Sequence, residues 1–150
     1  MVVFRGAQNS SSANLRRVWI DAATYLLTEG DKAKKAGHSN QAEELLDASD
    51  EMYAKGRKAL PSSLMIAFAS ADQLEARSKV EEAKAIYEEL LKDDSGADIT
   101  LVYINYMKCC RRTNGIKAVR EVFSKRVTKD DRCGHQAIVA SAQIELEFAG

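Results

Sequence analysis

Three stretches of the chain share one frame, in which a small or apolar residue is followed three places on by an aliphatic and four places on by an aromatic side chain. They are Ser49-x-x-Met52-Tyr53, Ala83-x-x-Ile86-Tyr87 and Val119-x-x-Val122-Phe123, and their aromatics are 34 and 36 residues apart. Upstream of each lies a second apolar segment, with large anchors at Trp19, Met65 and Tyr103 and a fourth at Ile138, spaced by 46, 38 and 35 residues. A period of this length built from two helical segments marks an α-solenoid, whose hairpins bury their apolar faces only by stacking on one another. The long first interval places an insertion in the first hairpin, between Thr28 and Asn40.

Apolar residues recur at helical spacing through each segment. Leu15, Val18, Trp19, Ala22, Ala23, Leu26 and Leu27 mark a first helix, broken at Gly37-His38-Ser39. Asn40 with Glu43 reads as a capping box for a second helix, which Pro61 stops. Ser62 and Asp98 read as caps for the third and fifth helices, and Asn114-Gly115 as a stop. The expectation is all-α: a flexible lead over 1–13 and a repeat domain over 14–150. Its hairpins fall at about 14–60, 62–94 and 98–129, and an unpaired seventh helix at 131–149 makes about three and a half repeats. Large aromatic or aliphatic anchors stand where tetratricopeptide (TPR) repeats keep Gly-x-x-Tyr and small residues. That favours half-a-TPR (HAT) repeats.

Composition closes other routes. One proline and eight glycines in 150 residues are too few for the turns of a sandwich or barrel. Hydrophobic residues at 45% and charged residues at 29% fit a folded core and exclude disorder. No run approaches the ~20 apolar residues of a membrane span, and no secretory leader is evident. Cys109, Cys110 and Cys133 are an odd set without C-x-x-C spacing, so a reducing compartment is expected.

Nothing in the sequence reads as an enzyme. Glu81-Glu82 and Glu88-Glu89 fall opposite the Ala83/Ile86/Tyr87 face, where carboxylates meet water. His38 and His135 lack partners at metal spacing, and no nucleotide-binding loop or nucleophile elbow occurs. No cofactor or metal is therefore expected.

Lys+Arg and Asp+Glu balance at 22 each, but unevenly. From Lys108 to Arg132 there are nine basic residues against three acidic ones, and from Asp72 to Asp98 nine acidic against four basic. Arg111, Arg112, Lys117, Arg120, Lys125 and Arg126 are candidates for contact with RNA or an acidic partner. Tyr103 and Tyr106 lie on the apolar face and read as core, which favours attraction between neighbouring repeats. The expected repeat core is Trp19, Tyr53, Met65, Phe68, Ile86, Tyr87, Tyr103, Tyr106, Val122 and Phe123. The last helix carries Ile138, Ile144, Leu146 and Phe148 with no return helix over them, making them candidates for self-association.

The runs Leu64-Met65-Ile66-Ala67-Phe68-Ala69-Ser70-Ala71-Asp72, Ala85-Ile86-Tyr87-Glu88-Glu89-Leu90-Leu91 and Thr100-Leu101-Val102-Tyr103-Ile104-Asn105-Tyr106-Met107-Lys108 resemble the HAT region of the suppressor-of-forked family. The segment from Arg111 to Lys117 and the long first hairpin behind Trp19-Ile20-Asp21 extend the resemblance over roughly 14–149. Members of that family are nuclear scaffold subunits of cleavage stimulation factor. The resemblance implies a fragment or shortened product matching the start of the second HAT block. It also implies a non-catalytic role in pre-mRNA 3′-end cleavage and polyadenylation. Partners would be other subunits of that machinery, a second copy of the chain, and pre-mRNA contacted directly or indirectly. The alternative is a TPR-like adaptor or RNA-binding solenoid outside that machinery.

Overall fold

A computed structural model of the chain describes residues 2–92 and 95–150, with side chains from residue 15 onward. Among the described residues all regular structure is helical: α1 (Val2–Lys35), α2 (Ser39–Ala59), α3 (Leu64–Ala76), α4 (Val80–Leu90), α5 (Ile99–Asn114), α6 (Ile116–Lys125) and α7 (His135–Ala149), with one 3-10 turn at Val127–Lys129. The chain divides into two compact units, Met1–Gln73 and Leu74–Gly150. No helix among the described residues is long and apolar enough to cross a membrane.

In the first unit, α1 and α2 form the long hairpin. Its extra residues lengthen the helices, to 34 and 21 residues, and leave only three residues between them. Helix α1 begins before Asn14, so residues 2–13 of the expected lead fall within its backbone span, which contains no proline to bar it. Side chains up to residue 14 lie outside the described residues. Gly37, at φ +85°, turns the chain so tightly that α2 starts at Ser39, which puts Asn40 inside the helix and removes it as a cap. The cap of α3 is likewise Ser63 rather than Ser62, its hydroxyl accepting from the Ile66 N–H at 3.4 Å.

Ala23, Tyr53 and Ile66 form the core of this unit, with Trp19, Ile20, Met52, Leu60 and Ala69 packed around them. Trp19 lies directly on Gly56, where an added Cβ would come within 3.1 Å of the Trp19 Cβ and Cγ, so the two helices meet there only because the position is glycine. A buried polar network also crosses this core. The Ser49 hydroxyl donates to the Ala23 carbonyl at 2.5 Å, and the Gln73 amide donates to Ser49 Oγ at 3.0 Å and to Asp50 Oδ1 at 2.8 Å. Buried hydroxyls and amides need such partners, and here each helix supplies one.

Met65 is not core: it is 55% exposed, and its neighbour Ile66 is fully buried. One residue is about 100° on a helix, so a one-place error in register turns an anchor into a surface residue. The same displacement occurs in α7, where Ile138 is exposed and Ala137 buried.

In the second unit Ile86, Tyr87, Tyr103 and Tyr106 are buried as expected, together with Val102, Met107, Val119 and both Cys109 and Cys110. The Tyr87 and Tyr106 rings stack in parallel, 5.2 Å between centroids and 6° between planes. Trp19, Phe68, Val122 and Phe123 are half-buried. Asp98 caps α5 by accepting from the Leu101 N–H at 3.2 Å, and Gly115, at φ +82°, ends it. Helix α7 starts at His135, later than the expected Asp131. The preceding residues are held in a turn, with the Cys133 N–H on the Asp130 carbonyl and the Gly134 N–H on Thr100 Oγ1 at 2.7 Å. Ala137, Ala140, Ser141 and Ile144 form the buried face of α7, which packs on α5 and α6.

Candidate interaction surface

The basic residues between Lys108 and Arg132 gather on the second unit, where three of the arginines are tied to carboxylates of other helices. Arg112 on α5 makes a two-pronged bond to Glu75, 2.7 and 2.8 Å, and Arg120 on α6 makes another to Glu145 on α7, 2.7 and 2.9 Å. Arg126 reaches Glu88 on α4 at 2.8 and 3.0 Å, and the Tyr106 hydroxyl donates to the same carboxylate at 2.8 Å. Planar guanidinium forks match carboxylates in this way, whereas lysine offers only a point charge. Lys125 pairs with Glu121 one turn away, both exposed. Lys117 is exposed and has no ion pair among the described residues.

Arg111 and Arg120 lie over the Phe148 ring at 5.6 and 5.5 Å from its centroid, so two of the candidate RNA contacts hold the last turn of α7 by cation–π attraction. Of the four self-association candidates, Ile138, Leu146 and Phe148 are exposed, Leu146 at 71%. Ile144 is buried against α5 and α6 and is not part of any outward patch.

These pairings shape the titration behaviour. Hydrogen bonding from Arg112 lowers the Glu75 pKa. Arg132 and Tyr103 hold Asp130 well below the usual carboxylate range, and the Arg132 guanidinium also donates to the Leu91 carbonyl at 2.9 Å. Burial, then Asp130, pushes Tyr103 up to about 12, and burial with Glu88 raises Tyr106 further. Burial pushes the Cys109 thiol up to about 12, the neutral state of a packed cysteine. Among the described residues no group of three His, Cys, Asp or Glu side chains is placed to hold a metal ion.

Sequence reasoning named the arginines but not their partners Glu75, Glu88, Asp130 and Glu145. The signal was the acidic stretch from Asp72 to Asp98, which supplies two of them. Two adjoining clefts open between the ion pairs and share Lys125 and Arg126. One, about 300 Å³, is lined by Lys84, Tyr106, Cys110, Ala118, Glu121 and Val122; the other, about 450 Å³, by Tyr103, Lys129, Asp130, Asp131 and Arg132.

Helical hairpins in series, each closing on a small or apolar residue and an aromatic from its second helix, make this an α-solenoid repeat protein of the HAT type. The chain belongs to the suppressor of forked family, whose model, described as suppressor of forked protein, matches residues 14–149. Over 86 residues it is 40% identical to the protein suppressor of forked of Drosophila melanogaster, which is 57% of this chain and 11% of that protein. Over 96 residues it is 30% identical to cleavage stimulation factor subunit 77 of Arabidopsis thaliana, 64% of this chain and 12% of that one. The matches thus span about a tenth of the length of these relatives.

Proposed function

We propose that the chain is a non-catalytic protein-interaction scaffold of the nuclear machinery that cleaves and polyadenylates pre-mRNA 3′ ends. The family match across 14–149 carries this reading, and the name of the Arabidopsis relative supplies the process. The fold suits the role: repeated hairpins offer a firm surface and need no chemistry of their own. Its partners on this reading are other cleavage stimulation and polyadenylation factor subunits, with a second copy of the chain on the exposed Ile138 and Leu146 side chains of α7. Pre-mRNA is reached through those subunits, because Arg111, Arg112, Arg120 and Arg126 are engaged within the fold. Tagged chain recovered from nuclear extract should bring down 3′-end processing subunits and locate to the nucleus. A cytoplasmic chain that brings down none of them would refute the proposal.

A further inference from the structure

The two adjoining clefts of the second unit form one groove with a charged rim and an apolar floor. Val122, Ala118 and Cys110 floor its inner part, and Lys84, Lys125, Arg126 and Lys129 stand around it. Two of the three acids along it are occupied, and the third, Asp131, stands exposed at the outer cleft. Asp130 accepts from both Arg132 and Tyr103, and Glu121 is held by Lys125. Lys129 has no ion pair among the described residues, and the Lys125–Glu121 pair lies in water, where such pairs are weak and exchange readily. The lining thus carries five basic residues against three acidic ones, an excess that favours an occupant with negative charge.

The tyrosines decide which kind. A single-stranded nucleic acid binds such grooves by stacking its bases on aromatic faces. Here the Tyr106 ring is already stacked on Tyr87 and its hydroxyl is given to Glu88, while Tyr103 is buried with its hydroxyl on Asp130. No ring face is offered to a base. The inner cleft has room for an aliphatic side chain, the seat that an apolar anchor needs.

We infer that this groove docks an acidic peptide segment of a partner protein, its carboxylates on Lys84, Lys125 and Lys129 and one aliphatic side chain in the cleft over Val122. The inference deepens the scaffold reading and rests on it for the existence of a protein partner.

Fluorescence anisotropy with the full chain tests it. The probes are a labelled peptide of aspartate and glutamate around one leucine, its twin with serine for leucine, and an oligouridylate of equal charge. The leucine peptide should bind best, and Lys125→Glu with Lys129→Glu should weaken it about tenfold. Ala118→Gln, which fills the cleft with a helix-compatible side chain, should bring the leucine peptide down to the affinity of its twin. Both variants change half-buried or exposed positions, and an unchanged circular-dichroism melt establishes that they fold. Peptide binding that ignores both variants overturns the inference, as does an oligouridylate that binds as well and loses affinity in the same variants. Absence of peptide binding, with 3′-end factors still recovered by the wild-type chain, overturns the groove and leaves the scaffold reading standing. Peptide binding at the groove without recovery of those factors overturns the scaffold reading alone.

Discussion

Tyr87 is buried to within 1% of its surface and lies face to face with Tyr106, so its removal leaves a void that rigid neighbours cannot fill. Tyr87→Ala should cost about 3–5 kcal/mol, read as a lowered midpoint in urea unfolding. Tyr103 answers to pH. Its pKa is raised from 10.0 to about 12, so the neutral phenol contributes stability that is fully present below pH 10 and lost as the pH rises through about 12. Asp130→Asn removes the smaller cause and leaves burial, so absorbance titration should show Tyr103 ionising at lower pH but still above 10. Residue by residue, the shared frame was legible because its first members Ser49, Ala83 and Val119 are all buried and each is followed by a charged residue, Asp50, Lys84 and Arg120, that sets the phase. Met65 and Ile138 were misplaced because Leu64-Met65-Ile66 and Ala137-Ile138-Val139 are unbroken apolar runs, in which periodicity cannot choose between neighbours.

Among the elements, the turn between α5 and α6 depends on backbone freedom alone. Gly115 has φ +82° and ψ −174°, a region open almost only to glycine, and nothing lies within 4 Å of where its Cβ would stand. Gly115→Ala should therefore cost about 1–3 kcal/mol without any clash, measured by thermal unfolding. Ser78 presents the converse. It ends the turn after α3 at φ +63°, with the Lys79 N–H on the Leu74 carbonyl at 2.8 Å, and is the only non-glycine residue at positive φ among the described residues. Ser78→Gly should stabilise the chain by up to about 1 kcal/mol in the same assay. Helix ends were legible where a side chain or a glycine fixes them, as at Asp98 and Gly115. They were not legible at α2, where the turn at Gly37 rather than a capping side chain sets the start.

Over the molecule as a whole, the exposed Ile138 and Leu146 should make the chain associate with itself. Sedimentation at rising concentration should give a rising average mass, little changed by salt because the contact is apolar. Leu146→Glu should hold it at the monomer mass, and a wild-type chain that stays monomeric throughout would refute the proposal. The ion pairs of the second unit work differently. Glu75 with Arg112 and Glu88 with Arg126 join helices two apart in the chain, and Arg120 with Glu145 joins α6 to α7, each beside apolar packing. Charge thus adds to the apolar contacts, such as the Tyr87–Tyr106 stack, that hold successive hairpins together. About 1 M salt, where screening acts over only ~3 Å, should make the second unit more pliant with its helix content unchanged. The surrounding ions would then tune how firmly successive hairpins grip one another, while the helices themselves stay formed.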